Sequence, residues 1–484
     1  MRSHENKKEA NHKWATARVA PTKMNKPKIK QLTGIILAII TYFLLQGKVD
    51  ETIARTAGIT VLMATWWVTE AVKLSITALF PLILFPVAGI LNMKEVSSLY
   101  MNPIIFLFIG GFIMAFAMEK WNLHKRIALN IILAMGKTPA KLLFGFMLSS
   151  FVLSMFILNT TTVIMLLPAT LAIIKEIKIE NKKAFGEAVL LGLAYAANIG
   201  GMATLIGTAP NLYFSEFFEN NFTEQTGFDF LTWFIQISPL AIILFLITFL
   251  ILKRRYFKAS QQSIELESVK NSLKALGKIK KEEKMIAGIF LTGILLWITR
   301  PYIFDSGVKD GTIAIFLAIS LYFLPSSNKK EKLISWKEFE RIPMDVLLLF
   351  GGGFALAKGI QVSGLGELIA QQLQFLSNFP SWLIIVFLCL FMTFFTEITS
   401  NTASTQLMLP ILLPLVQMFD WNASQALLAI TLSASCAFML PVATPPNTIV
   451  FGSGEISSKG MARVGMLLNV VCALVISVYL LVVF

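Results

Sequence analysis

The sequence predicts an all-α polytopic membrane protein built from inverted repeats, with about 11 transmembrane helices and two re-entrant hairpins. Three observations carry that expectation. The 484 residues are 56% hydrophobic and only 14% charged, with a mean hydropathy of +0.70. Basic residues gather in a few segments between apolar runs, as charge that sets topology does. And a polar phrase set in apolar surroundings, Asn159-Thr160-Thr161-Thr162 running to Pro168, returns as Asn401-Thr402-Ala403-Ser404 running to Pro410.

The apolar runs come first. With their polar flanks they are long enough to span a bilayer over 33–47, 52–68, 75–92, 103–118, 184–215, 229–252, 285–300, 311–325, 344–360, 424–452 and 464–484. The longest polar interruption, Lys253 to Lys284, is too short for a soluble catalytic domain. The formal charge of +14 does not indicate nucleic acid, because it lies beside the membrane in residues 2–30, Lys253–Lys284 and Lys329–Arg341. Cys389, Cys436 and Cys472 sit in apolar segments without CxxC spacing, so neither disulfides nor a zinc site are indicated. His4, His12 and His124 leave no intramembrane histidine for a metal centre or a catalytic base, and an enzyme is not expected. The first 30 residues are too polar for a signal peptide, and 1–32 reads as a basic cytoplasmic tail.

With the N-terminus inside, the loops fall into order. Residues 48–51 make a short outer turn, and Glu119 to Arg126 is inside. The loop of Glu216, Glu219, Glu224 and Asp229 has no Lys or Arg and belongs outside. Lys253–Lys284 and Lys329–Arg341 return inside, while 361–421 carries no basic residue. This order holds only if the segments bearing the polar phrase do not cross. Residues 142–174 have Lys137 and Lys141 before them and Lys175 and Lys178 after, so both ends are cytoplasmic. Residues 381–419 have no basic residue at either end, so both ends are external. Each is a re-entrant hairpin with its polar tip at membrane depth, which is tolerated where the tip is buried in protein or lines a wet cavity. The chain then divides into a first membrane half, 33–252, a cytoplasmic basic linker, 253–284, and a second half, 285–484, whose C-terminus is external.

The two halves repeat. An offset of 242 residues places Phe108, Gly110, Gly111, Phe112 and Ala115 on Phe350, Gly352, Gly353, Phe354 and Ala357, and Asn159, Thr160 and Pro168 on Asn401, Thr402 and Pro410. An offset of 236 places Thr208, Pro210 and Asn211 on Thr444, Pro446 and Asn447. The intervening crossings make the repeats inverted, as in secondary transporters that bind substrate at the midplane. The glycines read as close helix packing, since Gly351–Gly353 lacks the Gly-Lys-Ser/Thr of a phosphate loop.

Two interrupted helices complete the pattern, at Gly207-Thr208-Ala209-Pro210-Asn211 and Ala443-Thr444-Pro445-Pro446-Asn447. Proline breaks a helix and frees carbonyls, which with an Asn side-chain oxygen suit a hard cation such as Na⁺. Half-helix N-termini with Ser, Thr or Asn donors suit the carboxylates of an anion.

These motifs resemble the divalent-anion/sodium symporter family over about residues 33–484. Ser400-Asn401-Thr402 is similar to that family's Ser-Asn-Thr signature, and Ser435 to Val450 to its long C-terminal signature. Trp66-Trp67-Val68-Thr69-Glu70-Ala71 and Thr77-Ala78-Leu79-Phe80-Pro81 look like its early helix motif. The resemblance implies a homodimeric elevator transporter in the cytoplasmic membrane, with a scaffold and a moving transport domain in each protomer. It implies secondary-active transport of C4-dicarboxylates or related anions, with Na⁺ as coupling ion and no organic cofactor. One Na⁺ would take Ser154, Leu158, Asn159 and Gly207, and a second Thr396, Thr399, Asn401 and Ala443. The anion would touch Asn159, Thr160, Thr208, Ser400, Asn401, Thr402, Thr444 and Pro445.

The chain departs from the family in two places. Leu158 stands where the family has serine, which removes a hydroxyl donor from the first tip. Lys73 follows Thr-Glu-Ala where an apolar residue or proline is usual. As a fixed charge it would favour Na⁺-independent dicarboxylate exchange, and as a snorkelling lysine it would do nothing to coupling. Glu397, beside the second tip, could titrate or brace the hairpin.

Overall fold

The computed structural model describes residues 26–177, 181–257, 264–304, 307–327 and 331–484. Residues 1–25 of the basic tail, with His4 and His12, lie outside the described residues, as do Lys178 and Lys329. Helices make up the fold, and isolated bridges at Gln46–Val49 and Pro325–Lys332 are the only β pairing among the described residues.

Among those residues, eight helical segments are long and apolar enough to cross a membrane. Of the other apolar runs, 52–68 forms the continuous helix Glu51–Thr69, while 75–92, 311–325 and 424–452 form shorter or broken helices. Run 75–92 is the clearest difference from the expected spans. It divides into Leu74–Thr77 and Pro81–Val87, because Pro81 begins a new helix where it needs no backbone donor. Outward faces are apolar over long stretches. Ile36, Phe43 and Leu44 of the Lys26–Leu45 helix are exposed, as are Leu291 and Leu295 of Lys281–Ile303 and Val478 and Val482 of Ser458–Val483. Belts of this size are stable against lipid, not water.

Each segment read as a hairpin is a pair of helices joined at its polar tip, and Ser381–Ile398 is one of the eight apolar segments. Pro139–Ser154 and Asn159–Glu176 make the first, Ser381–Phe395 and Asn401–Met418 the second. The apolar segments 184–215 and 424–452 are each interrupted, giving Lys182–Met202 then Ala209–Asn221, and Ala423–Ser433 then Pro445–Phe451. Together with Phe230–Tyr256 and Ser458–Val483 these helices pack into one central body. The remaining long helices flank it. Lys26–Leu45 lies against Glu51–Thr69, and Lys281–Ile303 against Asp310–Phe323.

The repeat is visible in the helix bounds. Pro103–Lys120, Leu123–Met135, Pro139–Ser154 and Asn159–Glu176 match Met344–Ser363, Leu365–Gln372, Ser381–Phe395 and Asn401–Met418, each start shifted by 242 to within a residue. The halves also interlock. A Cβ on Gly110 would lie 2.5 Å from the backbone of Ala314, and one on Gly352 would lie 2.6 Å from the backbone of Ala78. Each half therefore presses a glycine against the flank of the other half. In lipid, where helices gain little by hiding from solvent, such close backbone contact supplies much of the packing.

The described residues at the end of the linker, from Ile264 on, are docked on the first half. Ile264 N–H donates to the Lys137 carbonyl at 2.8 Å, Ile264, Leu266 and Val269 are buried, and Arg126 grips Glu283 at 2.5 and 3.1 Å.

Candidate functional site

Both hairpin tips and both helix breaks open onto one cavity of about 1030 Å³. Every residue expected to touch the anion lines it: Asn159, Thr160, Thr208, Ser400, Asn401, Thr402, Thr444 and Pro445. Three helices begin at its wall, Asn159–Glu176, Ala209–Asn221 and Asn401–Met418, and the short Pro445–Phe451 helix begins beside them. Leu158, Thr208 and Ser400 occupy the N-cap positions of the first three without a side-chain cap, so the first-turn amides stay available. Converging helix starts present partial positive charge and N–H donors, an arrangement that holds carboxylates without a permanent cation.

The breaks are held open by two asparagines. Asn211 Nδ2 donates to the carbonyls of Gly201 and Thr204 at 3.0 and 2.8 Å. Asn447 Nδ2 donates to those of Ala437 and Leu440 at 3.0 and 3.1 Å. All three residues of one set map onto the other at the 236 offset. The carbonyls freed by the prolines are thus partly satisfied, while the side-chain oxygens of Asn211 and Asn447 remain buried without a partner among the described residues. Each hairpin tip is tied to the neighbouring break as well. The Thr204 hydroxyl donates to the Met155 carbonyl, and at the equivalent place Glu397 accepts from Leu440 N–H at 2.9 Å. Glu397 accepts further from Met439 N–H at 2.8 Å and Asn469 Nδ2 at 2.7 Å. Three donors on one buried carboxylate make Glu397 a brace.

The residues named for cations divide unevenly. Leu158, Asn159 and Gly207 line the cavity with Thr399, Asn401 and Ala443, whereas Ser154 and Thr396 are fully buried behind it. In the first set, Ser154 Oγ and Asn159 Oδ1 are both buried and unpaired among the described residues. The cradle around them tolerates only glycine. A Cβ on Gly201 would lie 2.7 Å from Asn159 Oδ1, and one on Gly207 would lie 2.5 Å from the Gly201 carbonyl. Orphaned oxygens in a dry cradle fit a small hard cation. In the second set the oxygens already meet one another. Thr396 Oγ1 lies 2.7 Å from Asn401 Oδ1 and 3.0 Å from the Ala434 carbonyl, an acceptor cluster that a hydroxyl now bridges.

Lys73 does not reach the cavity; its ammonium pairs with Asp345 at 2.6 Å. Leu158 does reach it, and its side chain is 37% exposed there. Several lining residues were not singled out from the sequence. Asn198 donates to Thr444 Oγ1 at 3.2 Å. Lys30 and Glu70 stand at the mouth, with Lys30 capping the Glu51–Thr69 helix through the Thr69 carbonyl at 2.8 Å and Glu70 in the left-handed conformation at φ 48°. Asn198 is a polar residue in the apolar second half of the Lys182–Met202 helix, which could have drawn attention. Lys30 left no signal, since it lies at the end of a charge run.

The family model described as the sodium:sulfate symporter transmembrane region matches residues 27–483. The chain belongs to that family. As a member of the sodium:sulfate symporter family it is a multi-pass membrane transporter, not an enzyme. Similar relatives include the sodium-dependent dicarboxylate transporter SdcS of Staphylococcus saprophyticus, 40% identical over 470 residues and covering 93% of this chain and 90% of the relative. The protein of the same name from Staphylococcus aureus strain NCTC 8325 is 42% identical over 436 residues, covering 87% of this chain and 84% of its own length. Among solved structures, the Alcanivorax borkumensis YdaH transporter superposes with a TM-score of 0.51 at 14% identity, covering 81% of this chain and 88% of that one. That likeness concerns the fold alone.

Proposed function

We propose that this protein carries C4-dicarboxylates such as succinate, malate or fumarate across the cytoplasmic membrane, coupled to Na⁺. The observation that carries the reading is the meeting of both hairpin tips and both helix breaks on one cavity. A dianion there meets amide and hydroxyl donors, and its charge must be compensated to cross. Na⁺ carried with it, on Ser154, Leu158, Asn159 and Gly207 and on Thr396, Thr399, Asn401 and Ala443, supplies that compensation. The names of the two staphylococcal relatives support the same substrate class and ion. Two Na⁺ would make the cycle neutral, and a third would let the membrane potential drive it by about 2.3 kcal/mol per charge per 100 mV.

The central body is the moving transport domain in this reading and the flanking helices the scaffold, through which two protomers pair in the lipid. The N-terminus is cytoplasmic and the C-terminus external, so the cavity, with Lys30 at its mouth, opens to the cytoplasm. Na⁺-independent exchange loses its support in Lys73, whose charge is met by Asp345. Labelled succinate uptake into vesicles holding the purified protein is expected to stop when choline replaces Na⁺. Uptake that continued unchanged, driven by internal dicarboxylate, would overturn symport.

A further inference from the structure

The mouth of the substrate cavity has a counterpart that stops short of the hairpin tips. Gly110 against Ala314 and Gly352 against Ala78 set the flanking helices of the two halves in register at the 236 offset. In that register Val68 and Leu74, which wall the open mouth, correspond to Phe304 and Asp310. At the 242 offset Val346, on the same wall, corresponds to Ile104. Ile104, Phe304 and Asp310 all line a second cavity, of about 440 Å³. This second cavity does not reach the hairpin tips.

Charged groups line it. Arg300 and Asp310, on the flanking helices, and Lys309 beside them face Glu216, Glu219 and Asp229, on the central body. Arg300 binds Asp229 at 2.5 Å and Asp310 at 3.0 Å, Lys309 binds Glu219, and Asp310 accepts from Phe230 N–H at 2.7 Å. Four carboxylates thus surround two cations. Three of the four carboxylates belong to the body, so its withdrawal leaves Arg300 and Lys309 in excess over Asp310.

The interior beneath shows the same asymmetry. Ile164 and Ile449 line the open cavity. Their counterparts are Gln406 and Tyr213, both fully buried, with the Gln406 amide and the Tyr213 hydroxyl unpaired among the described residues. The two are neighbours, since each comes within 3.0 Å of a Cβ placed on Gly353. Polar groups left dry and unpaired are costly, and an opening on this side would wet them.

We infer that the Arg300 cluster is the second entrance to the substrate site, where Arg300 and Lys309 receive the carboxylates of a dicarboxylate once Asp229 and Glu219 withdraw. In the present state those two side chains stand where the substrate would bind. Gln406 and Tyr213 then form a polar lining on the way to Ser400, Asn401 and Thr402. The inference rests on the transport reading above but assigns residues that reading does not use.

The test uses full-length protein in vesicles, inserted in one orientation, with succinate as the probe and Na⁺ present. Lys309→Gln, and separately Arg300→Lys, should raise the KM for succinate offered on the Arg300 face about tenfold, the effect of one lost charge-assisted hydrogen bond. The KM from the opposite face should stay near wild type, which a general folding defect would not produce. In a background lacking Cys389, Cys436 and Cys472, Asp229→Asn should speed labelling of Gln406→Cys several-fold by an impermeant maleimide on the Arg300 face. A KM that is unchanged, or raised equally from both faces, overturns the inference, as does labelling of Gln406→Cys from the opposite face alone. Absence of Na⁺-driven uptake in the wild type would instead remove the transport reading, while the labelling result would still report whether the entrance exists.

Discussion

Asn211 and Asn447 make the same pair of side-chain to carbonyl hydrogen bonds, at matching positions, in the two halves of the chain. Neither asparagine faces the solvent; both are fully buried. Their amides hold the carbonyls of a broken helix in place while the next helix starts at the cavity. Loss of either side chain leaves two buried acceptors without these donors, at about 1–3 kcal/mol each. Asn211→Ala and Asn447→Ala are expected to lower the melting temperature and to abolish uptake together. A variant that kept wild-type stability and transport would show that the break is held by other contacts.

Asn159→Ala and Asn401→Ala should also abolish uptake, with different effects on stability. Asn159 Oδ1 has no partner among the described residues, so removing it breaks no protein hydrogen bond of that oxygen. Asn401 Oδ1 meets Thr396 Oγ1 at 2.7 Å, and its loss should cost about 1 kcal/mol more. Thermal unfolding without Na⁺ should therefore separate the two variants. Added Na⁺ should stabilise Asn159→Ala less than the wild type, because the variant keeps only the site at Thr396 and Asn401, as expected for a ligand that binds only the folded state.

The tips were legible in the sequence because uncharged polar clusters in apolar surroundings stand out, and because the cluster recurs. The helix breaks were legible from Pro210 and from Pro445 and Pro446, which cannot continue a helix. The direction of the Asn211 and Asn447 amides was not, since either end of an amide can face a carbonyl or a cation. Glu397 was balanced between two roles until its three donors were located. Lys30 in the Lys26–Leu45 helix and Glu70 at the end of Glu51–Thr69 are far from the tips in sequence, and only tertiary packing brings them to the mouth. The apolarity of run 75–92 suggests one span, and Pro81 is the residue that marks its break, whereas Pro86 lies inside the Pro81–Val87 helix.

Glu397→Gln distinguishes a brace from a titrating group. The amide keeps one acceptor and turns the other position into a donor, which then faces a backbone N–H of Met439 or Leu440. Stability should fall by about 1–3 kcal/mol, and uptake should fall by a similar factor at every pH. If the variant instead kept its stability and lost only a pH dependence of transport, Glu397 would be a proton site.

Leu158→Ser tests the asymmetry of the tips. Ser400 presents a hydroxyl at the second tip, whereas Leu158 presents an exposed apolar side chain to the same cavity at the first. A serine hydroxyl at 158 adds a donor to the dicarboxylate and leaves in place the backbone carbonyl, the one oxygen that Leu158 can offer a cation. One hydrogen bond to a charged group contributes about 1.5–3 kcal/mol, so the KM for succinate should fall by about tenfold or more. The Na⁺ dependence should keep its midpoint, because the cation would meet the residue only through its carbonyl. A shift of the Na⁺ midpoint with an unchanged KM would place the Leu158 side chain against the cation instead, and would exchange the roles of anion and ion at the first tip.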